Sequence, residues 1–368
     1  MLNTAIEMLK TYVNQPSGSL DKADVTKMAE IIAADFESLG FTVQKLQGEK
    51  CGPTLKCTIG SGDKQLMLMG HMDTVFPHAV YVPWTEVDET RALGSGSTDM
   101  KGGVVVMLKA LEKALPTLDL TKYTLCAVIN PDEEIGSPES HEIILETAGE
   151  SFAALSFEPA GENGRLTCAR KGVTSMLISC TGIPGHAGAQ YKVCASAIQA
   201  LCAHITRLYT LRDDEHDISF NAGLISGGTA ENVVAPSAQC KCEFRYFDEK
   251  YKPLLTEKIK ALCAETPVPG VTTTVTFGAS HPAIDINEKS QVLYDAASAI
   301  AQELGIHVHH ERTGGAGDIA IAGQAGIGVL DGLGTSGGGM HTVNEWIDLT
   351  AVDGKIELAA KLIQKVCK

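Results

Sequence analysis

Histidine and aspartate stand two residues apart in MLMGHMDTVFP, where an apolar run from Met67 ends on Gly70 and delivers His71 and Asp73. Four further stretches carry groups of the same kind. GSGSTDMKGG puts Asp99 in a Gly/Ser-rich loop, and NPDEEIGS supplies Glu133 and Glu134 after the apolar run YTLCAVIN. SFEPAG supplies Glu158, and GGGMHTVNEW supplies His341 after IGVLDGLG. Each stretch alone has an ordinary explanation. A carboxylate past a strand usually caps a helix or faces solvent, and Asp99 could cap the helix that follows it. Five such stretches, expected at one edge of one sheet, need a joint explanation. Carboxylates gathered that closely repel one another and need positive charge to stay ionised. No lysine or arginine cluster accompanies them, so a metal centre is the economical answer. Two histidines among carboxylates suit Zn²⁺, with Co²⁺ or Mn²⁺ as substitutes. The ligand number suggests two ions. A carboxylate such as Asp99 can bridge them, and in an adjacent Glu-Glu pair one member can ligate while the other moves a proton.

The elements that must position these groups alternate in type. DVTKMAEIIAADFESLG has helical apolar spacing, FTVQKL and KQLMLMG read as strands, and KGGVVVMLKALEKAL is a helix. YTLCAVIN, SPESHEIILETAG and AALSFEP continue as strand, helix and strand. KQLMLMG is almost continuously apolar, as a strand covered on both faces should be. The pattern predicts an α/β fold: a mixed, mostly parallel sheet with helices on both faces, over residues 1–170 and 281–368. Between them, residues 171–280 read as strand–helix–strand–strand–helix–strand, the order of an inserted α+β ferredoxin-like domain.

Composition narrows the partners. The net charge of −15 argues against nucleic acid and against an anionic membrane surface, both of which reward clustered lysine and arginine. No stretch approaches the ~18 consecutive apolar residues of a membrane span. Eleven cysteines lie scattered in apolar runs, which fits buried thiols in a cytoplasmic protein. Cys240 and Cys242 fall on one face of a strand and read as core packing. The glycine-rich loops match neither GxGxxG nor GxxxxGK[ST], so a nucleotide-binding reading is weak.

GHMDTV, STDMKGG, DEEIGS, FEPA and MHTVNE resemble, in order along the whole chain, the motif set of the co-catalytic di-zinc metallopeptidases. That family includes aminoacylase-1, succinyl-diaminopimelate desuccinylase, peptidase T and the carboxypeptidase G type of glutamate carboxypeptidase. ERTGGAGDIAIAG and NVVAPSAQCKCEFRY are most similar to the carboxypeptidase G branch. The resemblance implies a zinc-exopeptidase-like catalytic domain and a dimerisation or lid domain in the insert. It implies two zinc ions held by His71, Asp99, Glu134, Glu158 and His341, with Asp99 bridging them through a cis peptide to Met100. Asp73 would orient His71, and Glu133 would be the general base. His186 in GIPGHAGA would stabilise the oxyanion from the partner subunit of a homodimer, and Asn232 would bind substrate. Arg245 and Arg312 are candidates to grip a substrate carboxylate, with surface salt bridging as their plainer alternative. The implied reaction is cleavage of an amide beside a free carboxylate, releasing a C-terminal amino acid such as glutamate. An N-acyl-amino-acid deacylase or a di- or tripeptidase is the alternative. Two departures bear on substrate choice: Gly317 stands before Asp318 where serine or threonine is common, and Ala235 displaces a proline. His307, His309 and His310 match no ligand of the family and read as a strand edge.

Overall fold

The structure is a computed structural model and describes residues 2–368. It divides into two compact units. One comprises the chain up to Ala169, Ile286–Thr313 and the chain from Gly317 onward; the other comprises Arg170–Asp285 and Gly314–Ala316.

The first unit is built on a six-stranded sheet. In spatial order its strands are Thr42–Leu46, Thr54–Gly60, Tyr123–Asn130, Lys64–His71, Ser151–Ser156 and Gly328–Leu330. The last four run parallel, while Thr54–Gly60 pairs antiparallel with both of its neighbours. Residues 66–71 and all of Tyr123–Asn130 are buried, so the apolar runs reflect strands covered on both faces. The helix Lys101–Ala114 packs on Val352–Val366 and on Leu2–Asn14. His141–Gly149 packs on Ile319–Gly323 and on the strand Ser151–Ser156. Gly103 lets the first of these helices approach the sheet. A Cβ there would lie 1.9 Å from the Phe157 carbonyl oxygen, at the end of the strand that leads to Glu158.

His71 ends one central strand, Glu133 and Glu134 follow the next, and Glu158 follows a third. The expectation that all five stretches share one sheet edge is corrected for the other two. Asp99 follows Arg91–Leu93, and His341 lies between Gly337–Gly338 and Trp346–Asp348. Those strands form a separate four-stranded sheet with Thr85–Glu86. Two independent sheets therefore supply the cluster.

The second unit is a four-stranded antiparallel sheet ordered Ser219–Gly227, Ser237–Tyr246, Gly172–Thr181, Thr272–His281. Its chain order is strand, helix, strand, strand, helix, strand. Burial alternates along Gly172–Thr181, and the helices Ala197–Leu208 and Tyr251–Ala264 share one core with the sheet. Ser196 caps the first helix by accepting from the Gln199 amide. Cys240 and Cys242 lie in that core.

Candidate metal centre

His71 is fully enclosed at its strand end, and its two ring nitrogens face different partners. Nδ1 lies 3.3 Å from Asp73 Oδ1 and 3.1 Å from the Asp73 carbonyl oxygen. Nε2 lies 3.2 Å from Asp99 Oδ1 and 3.7 Å from Glu158 Oε1. The other oxygen of Asp99 turns to the second histidine: Oδ2 is 3.3 Å from His341 Nε2, which is also 3.2 Å from Glu134 Oε2. The donor atoms of His71, Asp99 and Glu158 all lie within 4.8 Å of one another, as do those of Asp99, Glu134 and His341. Asp99 belongs to both groups. Two mixed imidazole–carboxylate sets joined through one carboxylate fit a pair of divalent ions.

The electrostatics make the same point. Burial alone pulls the His71 imidazole down, but Glu158, Asp73 and Asp99 outweigh it and hold the ring well above its ordinary value. His341 is pushed up to about 10, chiefly by its hydrogen bonds to Asp99 and Glu134. Burial raises Asp99, yet the two histidines bring it below the usual carboxylate range. The cluster thus calls for positive charge where metal would sit, which protons can supply only in part.

Neighbouring groups fix this arrangement. Asp73 accepts from Ser19 Oγ at 2.7 Å and from the amides of Glu133 and Glu134 at 3.2 Å each. One carboxylate therefore orients both His71 and the backbone of the Glu-Glu pair. Gly136, at φ +93°, closes the short turn that carries that pair. Glu133 belongs to neither donor group. It lines a small cavity with His71, Glu158 and Asp318. Burial first, then Glu158, Asp318 and Glu134, hold its carboxyl well above the ordinary range against the pull of His71.

The peptide Asp99–Met100 is cis. Asp99 does not cap the helix Lys101–Ala114; the capping position is Met100, and no side chain caps it. The loop is held instead by Glu345, whose carboxylate accepts from the amides of Gly96, Thr98 and Asp99 at 2.9 Å each. The motif reading missed Glu345, although it stands four residues past His341 in MHTVNEW. It also missed Ser19, which nothing in the sequence marks. Asp318, noted only beside the Gly317 departure, is buried and bonded to Asn130 Nδ2 at 2.7 Å and Ser137 Oγ at 2.5 Å.

The remaining candidates do not join the cluster's unit, save one. His186, Asn232 and Arg245 belong to the second unit, and Arg312 to the first. His186 and Asn232 are neighbours there: the Ala187 amide donates to the Asn232 carbonyl at 3.0 Å, and both side chains are exposed. His186 Nδ1 accepts from the amides of Gly188 and Ala189, so its proton resides on Nε2. The Arg245 fork is engaged by Glu243 at 2.8 and 3.3 Å, with a third bond to the Gly314 carbonyl. Arg312 is exposed on the strand His309–Thr313, which also holds His309 and His310; His307, read with them as a strand edge, precedes the strand.

Comparison with known proteins follows the same lines. Residues 67–365 match Peptidase family M20/M25/M40. Carboxypeptidase G2 of Pseudomonas sp. (strain RS-16) is 32% identical over 97% of this chain and 88% of its own. Acetylornithine deacetylase of Proteus mirabilis (strain HI4320) is 30% identical over 73% of this chain and 72% of its own. A tripeptidase structure from Staphylococcus aureus superposes with a TM-score of 0.82 at 22% identity, covering 100% of this chain and 99% of that one. The shared profile and the near full-length relative place this chain in the M20/M25/M40 family of metallopeptidases.

Proposed function

We propose that this enzyme is a two-zinc amide hydrolase that releases a C-terminal amino acid, glutamate foremost, from a small peptide or N-acyl amino acid. The observation that carries the reading is Asp99 facing His71 with one oxygen and His341 with the other. His71 and Glu158 would hold one ion, Glu134 and His341 the other, and Asp99 both; cobalt or manganese could replace zinc. Two ions so held supply Lewis acidity and an acidified water at neutral pH. Glu133, beside the cluster but outside both donor sets, takes a proton from the attacking water and returns it to the leaving amine. Asp73 keeps the His71 ring and the Glu133 backbone in place during that transfer.

His186 supports the oxyanion through Nε2–H, acting from a partner subunit, and Asn232 binds substrate alongside it. An edge strand favours the dimer: Ser219–Gly227 borders its sheet, and Leu224 and Ile225 on it are 66% and 62% exposed. The inserted unit is then a dimerisation or lid domain. Arg245 or Arg312 receives the substrate carboxylate; at Arg245 the substrate must displace Glu243. A cytoplasmic setting completes the reading, supported by the largely buried cysteines. The acetylornithine deacetylase likeness favours N-acyl-amino-acid deacylation as the second reading.

A panel of acyl-glutamates, other N-acyl amino acids, dipeptides and tripeptides, assayed with and without chelator, tests the reading. Metal-dependent release of a C-terminal amino acid is expected. Hydrolysis that survives complete metal removal, or none on any member, contradicts it.

A further inference from the structure

A cavity of about 380 Å³ opens over the start of the helix Val352–Val366, within the unit that holds the metal cluster. Its walls come from the loop at Asn163, the segment Ile306–His307, Ser336 and the helix start from Thr350 to Lys355. Among the described residues, these walls share none with the metal cluster. Lys355 does not fit an ordinary surface hollow. It is 3% exposed, and among the described residues its Nζ meets no hydrogen-bond partner. Lysine is almost never fully buried unless paired, because the ammonium loses its hydration with no compensating bond. Burial lowers its pKa to about 8, so at neutral pH the amine keeps its charge.

The helix start adds to this charge. Lys355 is the fourth residue of the helix, and a helical side chain leans back toward the N-terminus, so its amine and the first-turn amides serve the same end. Those amides have no partner inside the helix, and Ala351 at the capping position offers no side-chain acceptor. The helix dipole makes that end positive. Gly354 leaves the first turn bare, and a Cβ there would lie 3.2 Å from Ile306 Cδ1. Glycine and an unpaired buried lysine are both poor choices for a helix that only has to pack, and both stand in this one wall. The facing walls are held in place: the Asp348 amide donates to the Ser336 carbonyl at 2.9 Å, and the His309 amide to the Gly164 carbonyl at 3.3 Å. Asp348 is itself engaged by the Thr350 amide and hydroxyl. The acid in the walls, Glu162, is exposed and screened by water, whereas the lysine is buried.

We propose that this hollow binds a small molecule through an oxyanion, phosphate or carboxylate, seated between Lys355 and the first turn of the helix Val352–Val366. The oxyanion supplies the partner that the ammonium lacks and accepts from the free amides, as anions do at helix starts. Asn163, His307 and Ser336 offer further polar contacts, and Ile306 and Ala351 cover an apolar body. The volume falls in the range of small-molecule pockets and exceeds what a bare oxyanion needs. The site stands independently of the hydrolase reading.

The test follows heat unfolding of the metal-loaded enzyme in rising inorganic phosphate, or rising acetate, against chloride at matched ionic strength and pH. A ligand that binds only the folded chain raises the melting temperature with its concentration. The wild type should gain about 2 °C or more over chloride in at least one arm, and the stronger arm identifies the oxyanion as phosphate or carboxylate. Lys355→Met removes a buried charge and should fold, but its apparent affinity should fall roughly tenfold or more. Glu162→Gln should tighten binding roughly threefold, which a merely structural role for Lys355 would not produce. A wild type that gains nothing over chloride in either arm overturns the site. So does a Lys355→Met variant that responds as the wild type does, since the anion then sits elsewhere, at the metals first of all.

Discussion

Glu133 and Glu134 are adjacent in sequence and divided by environment. Glu134 meets His341 at 3.2 Å and sits in a donor group, whereas Glu133 lines a small cavity with Asp318 and Glu158. The division predicts different losses. Glu133→Gln should retain both metals and reduce turnover by ~10²–10⁴ or more, because it removes proton transfer alone; metal analysis beside steady-state kinetics checks both halves. Unchanged turnover in that variant would remove Glu133 from the reaction. Glu345 acts one step further out. It touches three amides of the Asp99 loop, so Glu345→Ala should loosen that loop and weaken metal binding by roughly 10–100-fold, as loss of a group supporting a ligand commonly does. A competition titration against a coloured chelator reads this directly.

Elements explain which parts of the sequence could be read in advance. Buried central strands announce themselves, because KQLMLMG and YTLCAVIN are almost continuously apolar and end at the chemistry. The strand Thr54–Gly60 was not read: it pairs with neighbours on both sides, yet its apolar residues are interrupted by Lys56 and Thr58. The two- and three-residue strands that carry Asp99 and His341 to the cluster are too short for any periodicity to show. The motif resemblance named the residues that form the cluster, while Ser19 and Glu345 are defined by bonds between distant residues and leave no local pattern. The helix Val352–Val366 holds another feature that only structure shows. Lys355 is buried on its inner face, and its Nζ has no hydrogen-bond partner. Burial lowers its pKa to about 8, below the unfolded value near 10.4. Between those values the unfolded chain binds the extra proton, so this residue's contribution to stability improves as pH rises from about 8 to 10. Below that window the full cost of the buried charge is present, roughly 3 kcal/mol. Lys355→Met should therefore be more stable than wild type at pH 7.5, and the difference should shrink by pH 10 in urea unfolding. A pH-independent difference would refute this assignment.

Across the whole molecule, the cluster and the His186–Asn232 pair belong to different compact units. If a partner copy supplies His186, breaking the dimer should abolish most turnover without touching metal. Leu224→Asp with Ile225→Asp on the exposed edge strand should give a monomer in sedimentation, with kcat reduced at least tenfold and metal content retained; a fully active monomer would rule out supply in trans. Asp99 joins the two donor sets, and zinc stoichiometry reads that join. Calorimetric titration of zinc into chelator-stripped protein should give two ions per chain for the wild type, one tight ion for His341→Ala, and severe loss of both for Asp99→Ala. A single ion per chain in the wild type, or two ions retained without Asp99, would contradict the shared-carboxylate centre.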